Sequence, residues 1–272
     1  MTGKKGFRMH RKRKNSGSDP VIPSSGEDLR APLYPDLEQN RRVMKDLFER
    51  CYDVTFRPFR IGKEIEAEIV YIENLSDLEE LNRHALAPLM KASLTCLEEI
   101  EAFLREELPV VSAKPVQTFD ECAKRVAAGD PVLFIDGLDR ALNLGLLKWD
   151  KRAVSEPQNE PVIRGSKEGF TESAQTNTAL LRRRIQRPQL KLEEMRLGRH
   201  TQTRVIVAYI EGLVNRGVLD EVKLRLGRID VDGVLESGYI EGLIEDNPYS
   251  PFPQLNVTER VDVVASDLLS GR

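Results

Sequence analysis

Arg164, Ser166 and Lys167 stand just before a helix that should begin near Thr171, and Arg182, Arg183 and Arg184 close that helix. The first N–H groups of a helix lack internal partners and carry the positive end of its dipole. Cationic side chains gathered there would therefore suit a phosphate or carboxylate. The three closing arginines suit the negative end. The same residues also admit a structural role, in which they order the loop and complement the dipole. Sequence alone leaves both readings open.

No reaction chemistry accompanies them. Gly165-Ser166-Lys167 looks like the end of a phosphate loop, but the position that needs an earlier glycine holds Glu160. The chain has no GxGxxG after a strand, no GxSxG and no HExxH. Its three histidines, His10, His84 and His200, have no carboxylate or cysteine at ligand spacing. Cys51, Cys96 and Cys122 form no CxxC, and each sits in or beside an apolar stripe, as reduced core thiols do. The expectation is a protein with no catalytic residues, no cofactor and no metal.

Composition agrees with a folded, water-compatible chain: 272 residues, 40% hydrophobic and 31% charged, enough for two cores. Apolar runs such as Val205 to Ile210 are far shorter than the roughly 18 residues of a membrane span, and no signal-peptide pattern opens the chain. The net charge of −3 is unevenly spread. Residues 1–18 hold seven Lys or Arg and no acid, so the other 34 bases against 44 acids leave the body ten charges negative. An acidic body argues against a nucleic-acid groove. The basic leader alone would touch phosphates or an anionic surface.

The elements that position these residues come in two similar sets. In the first, an apolar helix ends at Phe48, strands close with Arg60-Ile61-Gly62 and Tyr71-Ile72-Glu73-x-Leu75, and a late helix ends at Gly129 before the strand Val132–Ile135. In the second, a helix ends at Ile185, Arg196-Leu197-Gly198 and Tyr209-Ile210-Glu211-x-Leu213 follow, and a late helix ends at Gly271, one strand short. Asp36 should cap the first helix. Ser76 with Glu79, Thr95 with Glu98, and Thr118 with Glu121 read as capping boxes. Asp136-Gly137 reads as a two-residue hairpin turn leading toward Trp149. A strand, helices and another strand imply a crossover, hence some parallel pairing.

The predicted fold is α/β: two similar subdomains, each a mixed β-sheet packed with helices, the second truncated at its C-terminal strand. Residues 1–35 should be a disordered basic, Pro-rich tail, 36–150 the first subdomain, 151–170 an ordered connecting loop, and 171–272 the second subdomain. Such an ending also suggests a soluble piece of a longer chain.

The stretch Ser155-Glu156-Pro157-Gln158, then Arg164-Gly165-Ser166-Lys167-Glu168-Gly169-Phe170-Thr171-Glu172-Ser173, then Thr176-Asn177 and Leu181-Arg182-Arg183-Arg184-Ile185, resembles the A subunits of spore germinant receptors, the GerA-type proteins of endospore-forming bacteria. Supporting words are Phe134-Ile135-Asp136-Gly137, Asn247-Pro248-Tyr249, Pro253-Gln254 and Thr258-Glu259-Arg260; the likeness covers roughly residues 36–272. Asn74 departs from the glycine usual there.

The resemblance implies a soluble N-terminal region followed by transmembrane helices, on the core side of the spore inner membrane. It implies partnership with a transporter-like B subunit and a lipoprotein C subunit, and self-association of A subunits. It points to a non-enzymatic role in assembly and signal transmission, with no nucleic acid involved. The candidate interface and signalling residues on that role, in the central loop and the capped, charged helix after it between the subdomains, are Glu156, Pro157, Arg164, Gly165, Lys167, Glu168, Gly169, Phe170, Asn177 and Arg182–Arg184. A cleft between two lobes that binds a small solute is the alternative.

Overall fold

In the computed structural model, residues 28–62, 65–92, 94, 96–106, 113–148, 160, 166, 168–247 and 249–272 are described. Residues 1–27, Thr95 and Trp149 lie outside them. Most of the connecting loop does as well, including Glu156, Pro157, Arg164, Gly165 and Lys167. Residues 28–35, expected as part of the disordered tail, are instead ordered, because Leu33 is buried against the first core and its N–H reaches Gln117 O.

The first lobe is built on a five-stranded sheet. Strands β1 (Val54–Ile61) and β2 (Ile65–Ile72) form a hairpin with Val54 opposite Ile72. Strands β3 (Lys114–Val116), β4 (Val132–Ile135) and β5 (Ala141–Asn143) complete the order β1-β2-β4-β5-β3. Helices α1 (Leu37–Leu47) and α5 (Phe119–Ala128) cover one face, where Met44, Phe119, Cys122 and Val126 meet Val70, Val132 and Phe134. The other face carries the helical run α2 (Leu78–Glu80), a π-helical stretch over Leu81–Leu86, α3 (Ala87–Lys91) and then α4 (Leu97–Glu106). The π stretch lies just before Pro88, which has no N–H for the preceding turn; the Ala87 N–H reaches Asn82 O instead.

The α/β expectation stands, but the strand directions differ from it. Every pairing within the five-stranded sheet is antiparallel. The cause is β3, a short proline-bearing strand with no sequence signal. It reverses the chain once more between β2 and β4, so β4 returns antiparallel to β2. Asp136-Gly137 turns the chain, with Gly137 at φ 90°, yet the next strand waits until Ala141. This turn is docked on the start of α1, where Asp136 Oδ1 accepts the Leu37 N–H at 3.1 Å and the Gly137 N–H reaches Pro35 O at 2.8 Å.

Capping chemistry fixes the helix starts. Asp36 accepts the Glu38 N–H, and Thr118 accepts the Glu121 N–H. At the third site the cap is Asp77, one residue past the predicted Ser76; the Ser76 hydroxyl instead donates to Gly129 O at 2.7 Å.

The second lobe repeats the motif. Helix α6 (Ala174–Arg184) leads to the antiparallel hairpin β6 (Leu190–Leu197) and β7 (Thr203–Ile210), with Leu190 opposite Ile210. Helices α6 and α9 (Val261–Leu269) pack on one side. Helices α7 (Arg216–Gly227) and α8 (Ser237–Ile244) pack on the other, over Met195, Val205 and Val207.

Glycine ends the late helix of each lobe. Gly129 adopts φ 101°, and a Cβ there would lie 2.6 Å from Leu75 Cβ and 2.7 Å from Leu147 Cδ1. Gly129→Ala should therefore destabilise the chain by about 2–4 kcal/mol in urea unfolding, from backbone strain plus overpacking. Gly227→Ala, in a helix with nothing within 4 Å of the new methyl, should be neutral or stabilising.

Candidate inter-lobe site

The lobes are joined by backbone before any side chain is counted. After α1 the chain turns through Arg50, a non-glycine residue at φ 63°, and runs alongside β6. The Leu192 N–H reaches Arg50 O and the Tyr52 N–H reaches Leu192 O, each at 3.0 Å, which makes a parallel bridge between Cys51 and Leu192. A segment of the first lobe thus covers the outer edge of the second lobe's hairpin.

One buried ion pair lies beside this bridge. Arg182 in α6 donates Nε to Asp53 Oδ2 at 2.8 Å and Nη2 to Asp53 Oδ1 at 3.0 Å, a bidentate contact. The side chains are 0% and 2% exposed. Burial works against the Arg182 charge, but the charge and hydrogen bonds of Asp53 carry its pKa above the ordinary value. Three further contacts surround it. Lys191 Nζ donates to Leu47 O, at the negative end of α1, at 2.8 Å. The Tyr52 and Thr178 hydroxyls meet at 3.1 Å, and the Arg204 guanidinium stacks over the Tyr52 ring. Burial lowers the Lys191 pKa and raises that of Tyr52.

Adjacent residues of a helix point about 100° apart, so the three arginines diverge. Arg182 enters the core. Arg183 lines a cleft of about 420 Å³ between α6 and the first lobe. Arg184 turns to the end of the connector, with Nη2 at 2.5 Å from Glu168 Oε2 and 2.6 Å from Ser166 Oγ. The cleft is lined by Glu73, Asn74, Asp77, Glu79 and Lys148 from the first lobe, and by Thr176 and Arg183 from α6. It places three carboxylates and two cations around one opening.

Other predicted contact residues are internal staples. Asn177 accepts the Thr171 N–H and donates to Thr171 O, both at 2.7 Å. Asn40 does the same to Tyr34 in the first lobe, at 2.9 and 2.6 Å. Gly169 bridges Arg260, and the Phe170 N–H reaches Glu259 O at 2.7 Å. The first lobe matches this with Pro32 bridging Thr118 and the Leu33 N–H on Gln117 O. The start of α6 is capped from within, since Ser173 Oγ accepts the Thr176 N–H.

Sequence reasoning missed Asp53, Lys148 and the cleft acids. Only Asp53 left a trace, as a lone carboxylate in the run Cys51-Tyr52-Asp53-Val54. Among the described residues, no cluster of three or more His, Cys, Asp or Glu is arranged to hold a metal, and no helix is long and apolar enough to cross a membrane.

Comparison with known proteins adds a family. The family described as Bacillus/Clostridium GerA spore germination protein matches residues 42–272. "Uncharacterized membrane protein YfkQ" of Bacillus subtilis (strain 168) is 42% identical over 241 residues, covering 89% of this chain and 47% of the relative. "Spore germination protein KA" of the same organism is 37% identical, covering 88% and 45%. The chain thus spans about half the length of the curated relatives it matches. The crystal structure of the N-terminal domain of the A subunit of the Bacillus megaterium spore germinant receptor GerK3 superposes with a TM-score of 0.69. It is 35% identical and covers 89% of this chain and 91% of that one.

Removing one partner of a buried pair strands a charge. Asp53→Ala should cost about 3–5 kcal/mol in urea unfolding, and Asp53→Leu with Arg182→Met should recover most of it. A loss below about 1 kcal/mol for the single variant would show that the pair does not hold the lobes.

Proposed function

The chain belongs to the Bacillus/Clostridium GerA spore germination protein family, and from that premise we propose that it is the N-terminal domain of a germinant-receptor A subunit. Its role is non-enzymatic: it takes part in receptor assembly and passes the germination signal through the junction of its two lobes. The observation that carries this reading is the Arg182–Asp53 pair, a buried charged tie between the lobes beside an open charged cleft. Two lobes meeting at a well-specified junction can hold discrete relative angles, a common basis for passing on a conformational change. Likeness to the GerK3 A-subunit domain supports the subunit assignment. On this reading the partners are the transporter-like B subunit, the lipoprotein C subunit and further A subunits. The domain lies on the core side of the spore inner membrane.

The cleft favours a second reading, the binding of a small solute. Glu73, Asp77 and Glu79 with Lys148 and Arg183 around the same opening would suit a ligand bearing both charges, such as a free amino acid.

Arg183→Glu reverses a charge at the cleft while leaving the Arg182 anchor in place. Spores carrying this substitution in the full-length receptor should germinate at least about tenfold more slowly, a coupling change of about 1.4 kcal/mol, with urea unfolding of the purified chain measured alongside to separate loss of signalling from loss of fold. Germination at the normal rate would remove the cleft from the signalling role. Calorimetric titration with amino acids separates the two readings: heat abolished by Arg183→Glu favours solute binding, and silence favours transmission alone.

A further inference from the structure

From Ile229 to Glu259 the chain carries seven acidic residues and no Lys, Arg or His, although acids and bases nearly balance over the whole sequence. Some of these acids are answered from outside the segment. Arg199 meets Asp230 at 2.5 Å and Asp232 at 3.8 Å, and Arg225 meets Asp246 at 2.6 Å. Glu236, Glu241 and Glu245 have no ion pair among the described residues.

The same segment bares apolar side chains. Helix α8 turns Ile240 and Ile244 toward the second lobe's core. With a step of about 100° per residue, Tyr239 and Leu243 then fall on one flank of the helix and Glu241 and Glu245 on the other. Tyr239 and Leu243 are half exposed. Gly242 lies on the outer face, where an added Cβ would meet nothing within 4 Å. Glycine weakens a helix interior, and no contact within the fold requires it there.

The loop after α8 is held by polar bonds while its rings stay uncovered. Arg225 Nη1 donates to Ile244 O at 2.7 Å and ties the end of α8 to α7. Gln254 Oε1 accepts the N–H groups of Asp246 and Asn247, both at 3.1 Å, and its Nε2 donates to Asn247 O at 2.6 Å. Yet Tyr249 is 93% and Phe252 76% exposed. Aromatic side chains presented in this way on a fixed loop lose little freedom when a partner covers them.

We propose that this acidic, apolar surface of α8 and the loop after it is the docking site of the chain's own basic leader, residues 1–18. The leader complements it in both respects, with seven Lys or Arg, no acid, and Phe7 and Met9 set among the bases. From Lys14 to Asp28 the chain reaches up to about 50 Å when extended, more than the roughly 30 Å breadth of a small domain. A short tether gives an effective concentration on the order of millimolar, so a contact too weak to hold a free peptide at low concentration forms within one chain. Docked, the leader covers the exposed rings, and its bases are withheld from other anions. The inference rests on charge and exposure and is independent of the receptor reading.

The test compares the 272-residue chain with the same chain whose seven leader bases are replaced by glutamine. Hydrogen exchange by NMR at low salt should show the amides of Glu241 to Glu245 about tenfold slower in the unaltered chain, with those of α6 unchanged. The difference should vanish at about 1 M salt, where the screening length falls to about 3 Å. Glu241→Lys with Glu245→Lys should also remove it, and a leader with glutamate at its seven basic positions should restore it on that double variant. Such a rescue separates docking from any effect of the two lysines on the helix itself. The proposal is overturned if exchange is the same with either leader, or if the double variant keeps its protection beside an unaltered leader. Protection that rises with protein concentration also overturns it and assigns the surface to a second copy of this chain.

Discussion

The contact between Arg182 and Asp53 sets the terms for everything between the two lobes. Desolvating both charges costs several kcal/mol for each ion, and only a bidentate geometry with further hydrogen bonds can offset that. Such a pair tolerates little displacement, so the elements bearing it must be held independently. Asp53 sits between the end of α1 and the start of β1, and the bridge from Arg50 through Tyr52 to Leu192 fixes that segment. Arg182 is fixed by the packing of Leu180 and Leu181 in the second core, and its Nη1 also reaches Arg187 O. Main chain and apolar packing place the ions, and the ions then specify one relative placement of the lobes.

Duplication explains why so many conspicuous residues prove structural. Asn177, Gly169 and Phe170 have counterparts in Asn40, Pro32 and Leu33 that make the same staple and the same bridge. Residues doing one job in both copies are holding the fold. Those without a matching role are Arg182, Arg183 and Arg184, Asp53, and the acids after β2. They gather where the lobes meet.

The legible parts of the sequence were those governed by local chemistry. Asp36 and Thr118 as caps, the apolar run Val132–Ile135 and the glycines that end the late helices all follow from requirements within a few residues. Strand β3 was not legible, because Lys-Pro-Val has neither length nor alternation, and missing it reversed the expected direction of β4. The ion pair was illegible for another reason. Arg182 and Asp53 are 129 residues apart, and three consecutive arginines give no sign of which one turns inward. That depends on the phase of α6 against the first lobe, which tertiary packing sets.

The same phase gives α6 its reach. A helix lying against one lobe only would bury one stripe and leave the rest to solvent. Helix α6 instead buries Thr178, Ala179, Leu180, Leu181 and Arg182 in succession, more than one helical face. Ala179 joins the first core and Leu180 the second, so a rotation of α6 would disturb both cores at once. Arg183 and Arg184 lie one and two residues beyond the anchor, on the sides that face the cleft and the connector. A change in what either one touches would therefore bear on the one helix that both lobes share.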